Sequence, residues 1–170
     1  MPGDSLILRG RIAAKLGENI DTDIIYPGRY LNVTDREKTA EHLFELAYPE
    51  ILPSLRPGEI ILAGRNFGCG SSREQAAAAL KYAGVGAVIA PSFARIFYRN
   101  SINLGLPAIV SADAPDVLNT DDEIEIDLAA GTIRKLPSGP ACHAAALDPR
   151  AIELLNAGGL IPYLKKKYAA

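Results

Sequence analysis

The chain has 170 residues, 48% of them hydrophobic, and a formal net charge of -2, which suits one compact domain with a substantial core. That charge excludes a general basic surface for nucleic acid, and no apolar run approaches the ~20 residues needed to span a bilayer. Two cysteines, Cys69 and Cys142, cannot by themselves supply a disulfide framework or a zinc or iron–sulfur ligand set, so a cytoplasmic protein holding no metal of its own is expected.

In chain order, SLILRGRIAAKL has the partial alternation of a strand and leads into the polar turn GENIDTD. The opening MPGDSLILRG lacks a basic segment ahead of a long apolar one, so no secretory leader is expected. Residues 21–30, DTDIIYPGRY, are expected to form a loop punctuated by Pro27 and Gly28. Thr34 and Glu37 have capping-box spacing for a helix carrying HLFEL, which Pro49 and Pro53 would close. Pro57-Gly58 makes a turn ahead of EIILAG.

From that point strands and helices alternate. EIILAG, AVIAP and PAIVSA are strands; SSREQAAAALKYAG, ending at Gly84, and SFARIFYRNSINLG are the helices between them. Such alternation predicts parallel βαβ units with right-handed crossovers. Residues 123–136, EIEIDLAAGTIRKL, predict a hairpin turning at Ala130-Gly131. Asp148-Pro149 predicts a helix start and Gly158-Gly159 its stop, while Lys165-Lys166-Lys167 suits a solvated helix end. The expected fold is a single α/β domain over residues 1–170 with an antiparallel appendage.

One loop stands apart. NFGCGSSREQA, residues 66–76, concentrates two glycines, two serines and an arginine at the carboxyl end of a strand, where open α/β sheets place ligands. A helix beginning near Ser72 would aim free backbone N–H groups at that point. Gly68 and Gly70 permit close backbone approach, Ser71 and Ser72 add hydroxyls, and Arg73 offers a planar fork for a carboxylate. The competing structural reading is a Ser72 helix cap with Arg73 paired to a surface acid. A nucleotide loop fits less well, because GCGSSR lacks both the last glycine of GxGxxG and a GK[ST] ending. Asp21 and Asp23 suit turns that satisfy local amides. His42 and His143 have no metal-ligand neighbours and read as structural, and Arg95 and Arg99, one helical turn apart, read as surface or paired cations.

NFGCGSSREQA, with IDTDIIYPGRYL upstream and SFARIFYRNSINLGLP downstream, resembles the small subunit, or fourth domain, of the aconitase superfamily over roughly residues 7–165. The resemblance implies a swivelling β/β/α domain docked on a separate large subunit that carries a [4Fe-4S] cluster. It implies a hydro-lyase that dehydrates and rehydrates a 2-hydroxy acid. Ser71 matches the catalytic base, Asp23 an active-site acid, and Ser72 and Arg73 substrate-binding positions; Cys69 is expected to be a small buried residue. Within YLNVT, Asn32 stands at the position that selects the substrate's variable group. Lacking an arginine there, the chain is expected to take 3-isopropylmalate, as in leucine biosynthesis, with homoaconitate or a methyl-substituted malate as alternatives. A non-catalytic domain binding a carboxylate or a partner is the reading of a different class.

Overall fold

The computed structural model describes residues 6–169. The first residue of the strand expected from Ser5, and the first half of the opening segment MPGDSLILRG, lie outside them. Seven strands form one sheet: β1 (Ile7–Lys15), β2 (Ile60–Leu62), β3 (Ala87–Ala90), β4 (Ala108–Val110), β5 (Glu123–Asp127), β6 (Thr132–Lys135) and β7 (Ala141–His143). Their spatial order is β4-β3-β2-β1-β5-β6-β7. Helices α1 (Thr22–Ile25), α2 (Arg36–Ala40), α3 (Ile51–Ser54), α4 (Glu74–Tyr82), α5 (Arg95–Asn103), α6 (Ala114–Val117), α7 (Pro149–Ala157) and α8 (Leu160–Tyr168) pack around it. Among the described residues no helix is long and apolar enough to cross a membrane.

β2, β3 and β4 run parallel, joined through α4 and α5 as the alternation predicts. The expected antiparallel appendage is continuous with them, because β1 serves both halves. Its end near Ile7 pairs antiparallel with β5, and its end near Lys15 pairs parallel with β2, with a register shift between Ile12 and Ala14. Strand side chains alternate between faces. Ile61 and Val88 enter a core shared with α4, while Ile60, Leu62, Ala87 and Ile89 enter a second core shared with α7 and β5–β7. β2 and β3 are therefore covered on both sides, which is why they read as unbroken apolar runs. Ala76–Leu80 of α4 are all buried, and the short alanines let that helix lie close to the sheet.

The predicted hairpin forms with Gly131 at φ 68°, and the Asp127 carboxylate accepts the Ala129 and Ala130 N–H groups at its tip. Asp148 caps α7 by accepting the Ala151 N–H, and left-handed Gly158 ends it. The three lysines of the last turn of α8 are exposed.

Four expectations need correction. Residues 21–30 are not all loop: α1 forms there, with Asp21 accepting the Ile24 N–H. Asp35 caps α2 through the Lys38 N–H, so Thr34 and Glu37 are not its capping box. HLFEL does not continue that helix, because Phe44 takes a left-handed φ of 56° and gives its N–H to Ile25 O. Pro49 therefore closes nothing, and Pro53 lies within α3. α4 starts at Glu74 instead of near Ser72, and β7 had no separate signal in its alanine-rich stretch.

Candidate active site

Three loops leave the carboxyl ends of β1, β2 and β3 and are tied together by backbone hydrogen bonds. Asn19 N–H donates to Arg65 O, Gly68 N–H to Ile20 O and Thr22 N–H to Cys69 O. On the other side Phe67 N–H donates to Ser92 O and Ala94 N–H to Phe67 O. Residues 66–73 are thus the middle strap, held from both flanks. Phe67 is fully buried and anchors the strap, its ring edge-on to Phe97 at 5.2 Å. Asn66, Gly68 and Gly70 all take positive φ, which turns the chain sharply before α4.

This strap places Ser71, Ser72 and Arg73 on a cavity of about 190 Å3, also lined by Thr22, Gly68, Gly70, Ala94, Arg95, Ile96 and Phe97. α4 and α5 both begin at its wall, and neither has a side-chain cap. Two sets of helix-end N–H groups and two guanidinium groups therefore surround two hydroxyls, an arrangement that favours an anion. Ser72 is exposed and caps no helix; Arg73 occupies the cap position itself.

The Ser71 hydroxyl lies 3.1 Å from the Thr22 hydroxyl, which also donates to Ser71 O at 3.1 Å. Arg73 Nη1 meets Asp23 Oδ1 at 2.5 Å, and the same oxygen accepts the Gly28 N–H. The acid paired with Arg73 is thus the second aspartate of DTD. With Asp23 mostly exposed, such a pair contributes at most about 1 kcal/mol to stability, and its effect is to aim the guanidinium. A Cβ at Gly28 would stand 2.5 Å from Arg73 Nη1, so a larger residue there would push the guanidinium aside.

Asn32 follows the 3-10 turn Gly28–Tyr30, is exposed, and does not line the cavity. Its loop is held from behind: the Tyr30 and His42 rings stack at 3.5 Å, and Glu45 accepts from Arg29 and Tyr30 and bonds His42 Nδ1. His42 is structural, as expected. The His42 hydrogen bond, helped by Tyr30 and Arg29 and opposed by burial, holds the Glu45 carboxyl below its ordinary range. A depressed carboxyl stabilises the fold above its ordinary pKa, and that contribution fades as pH falls through the folded-state value. Glu45→Gln should accordingly lower the melting temperature at neutral pH, with the gap to wild type closing on acidification. A gap that widens toward acid would remove Glu45 from this role.

Two residues of the cavity escaped the sequence reading. Thr22 is buried between two aspartates that drew the attention. Arg95 is exposed, in line with its reading as a surface or paired cation, but at the start of α5 it also lines the cavity. A cation at a helix start opposes the dipole, and that was the available signal. Arg99 is exposed and lines a separate groove with Asp148 and Arg150. Cys69 is partly exposed, not buried as expected, and its backbone bridges to Asp21. Cys142 is buried on β7. Among the described residues no three His, Cys, Asp or Glu side chains are grouped to hold a metal ion.

The model of the aconitase C-terminal domain matches residues 19–113, which contain all three loops. The isopropylmalate/citramalate isomerase small subunit of Methanocaldococcus jannaschii is 48% identical, covering 96% of each chain. The methanogen homoaconitase small subunit of Methanothermobacter thermautotrophicus is 50% identical over 94% of this chain and 92% of its own. The 3-isopropylmalate dehydratase small subunit of Aquifex aeolicus is 48% identical over 95% and 96%. A crystal structure of 3-isopropylmalate dehydratase from M. jannaschii superposes with a TM-score of 0.88 at 43% identity, over 96% of both chains. With the fold, the loop order and the length all shared, this chain belongs to the aconitase C-terminal domain family.

Proposed function

We propose that the chain is the small subunit of a hydro-lyase that isomerises 3-isopropylmalate by removing and re-adding water. The observation that carries this reading is the Ser71 hydroxyl on a cavity walled by two uncapped helix starts, Arg73 and Arg95. Removing a proton from carbon beside a carboxylate requires a base, and a serine serves only as its alkoxide. Positive helix ends and two guanidinium groups lower the cost of that anion. Asp23 occupies one nitrogen of Arg73, and a guanidinium with five N–H donors keeps others for the substrate carboxylate. Ser72 adds an exposed hydroxyl to the same wall for substrate binding.

The large subunit would bring the [4Fe-4S] cluster, whose open iron would polarise the leaving hydroxyl. Residues 1–170 act as one domain that swivels onto that subunit, and the enzyme works in the cytoplasm. Asn32, exposed beyond the cavity rim, faces the substrate's variable group once the subunits close. Its uncharged amide disfavours a third carboxylate, which would be left unpaired in a closed site. Relatives named for homoaconitase and for citramalate keep those acids as competitors. Reconstitution with the large subunit under anaerobic conditions should give faster turnover of 3-isopropylmalate than of homoaconitate or citramalate. Faster turnover of either competitor would overturn the substrate assignment.

A further inference from the structure

Thr22 is the least exposed polar residue of the cavity, 2% exposed, and the family reading gives it no task. Its backbone is fixed at both ends: its N–H donates to Cys69 O and its carbonyl accepts the Tyr26 N–H, each at 2.9 Å. Its hydroxyl stands 3.1 Å from Ser71 O and 3.1 Å from Ser71 Oγ. A hydroxyl has one proton to donate and two lone pairs to accept with. While Ser71 is protonated, both contacts are satisfied together, with Thr22 donating to the carbonyl and accepting from Ser71 Oγ. Once Ser71 is an alkoxide, one proton faces two acceptors, and a hydrogen bond to the charged oxygen is the stronger.

We infer that Thr22 is a positioning residue whose hydroxyl turns between the Ser71 carbonyl and the Ser71 alkoxide as the base changes protonation. The inference rests on the reading of Ser71 as the base. In the forward step the substrate carbon loses its proton to Ser71 Oγ, the electron pair stays with the carbon skeleton, and Thr22 keeps its own proton throughout. Before the step Thr22 O–H points at Ser71 Oγ; afterwards Ser71 O–H points at Thr22 Oγ1 and the Thr22 proton returns to the carbonyl. Only one torsion changes. The re-addition step runs the same turn backwards, so a single residue serves both directions.

The test uses the reconstituted two-subunit enzyme with 3-isopropylmalate. Thr22→Val keeps the shape and removes the hydroxyl. It should lower kcat about 10–100-fold with little change in KM, the range for losing a hydrogen bond to a charged group. It should also move the limb of the profile that rises with pH upward by about 1–2 units, because the alkoxide forms less readily. Thr22→Ser, which keeps the hydroxyl, should restore most of both. In a Ser71→Ala background Thr22→Val should change the residual rate by less than about twofold, since its effect runs through Ser71. A Thr22→Val enzyme with wild-type kcat and profile sinks the inference, as does a Thr22→Ser enzyme as slow as Thr22→Val. Should Thr22→Val fail to assemble, the Thr22→Ser comparison decides alone: wild-type kcat and profile support the role, and a loss overturns it. If Ser71→Ala turns over normally, the assignment of the base fails first.

Discussion

Ser71→Ala should cut turnover of the reconstituted enzyme about 10^2–10^4-fold, the range for removing a positioned general base, while assembly with the large subunit and the melting temperature hold. The dissociation rests on what Ser71 touches. Its side chain is exposed on the cavity wall and bonds only Thr22 Oγ1 among the described residues, whereas its carbonyl, which alanine retains, accepts the Arg73 N–H and the Thr22 hydroxyl. Removing the Oγ therefore leaves the strap and the start of α4 in place. Turnover and calorimetry on the same preparation check both halves. A rate close to wild type would take Ser71 out of the chemistry; a large fall in melting temperature would mean that its role is structural.

Gly68→Ala should produce the largest loss of stability among substitutions in the strap. At φ 80° any L-residue is strained, and a Cβ would stand 2.2 Å from Phe97 Cγ and 2.5 Å from Phe97 Cβ. Phe97 is buried and sits against Phe67 and Phe93, which confine its ring on two sides. Left-handed strain and overpacking together suggest a loss of about 2–5 kcal/mol, or roughly 5–15 °C in melting temperature for a chain this size. Gly70→Ala is the control. Its φ is 92°, yet the nearest atom to an added Cβ is 3.5 Å away, so only the strain of roughly 1–2 kcal/mol applies. Equal losses at the two positions would show that Phe97 does yield, and that crowding adds nothing.

Much of the fold was legible because the signals were local. Ile60–Leu62 and Ala87–Ala90 are buried on both sides and therefore apolar at every position, and Asp148-Pro149 carries its own cap. Ser71, Ser72 and Arg73 line one cavity, a grouping visible in the sequence because they are contiguous. What escaped depends on contacts made across the chain. The N–H of Phe44 is taken by Ile25 O, which ends a helix that HLFEL alone would support. Thr22 and Ser71 meet only because the first and second loops pair at Asp21 and Cys69. Asp23 and Arg73 were each noticed, but their bond to one another spans 50 positions that no spacing rule connects. Arg95 is exposed, as its helix pattern predicts, and only the arrival of the strap makes it a cavity wall as well.

β1 bonds to β2 on one edge and to β5 on the other. It is synthesised first, but its antiparallel partner begins at Glu123, so a growing chain carries this strand with one edge bare until most of the protein has left the ribosome. Long-range pairing of that kind slows folding and leaves apolar strand edges open to other chains. Translation speed and chaperone supply should therefore govern the yield of soluble subunit more than its final stability does.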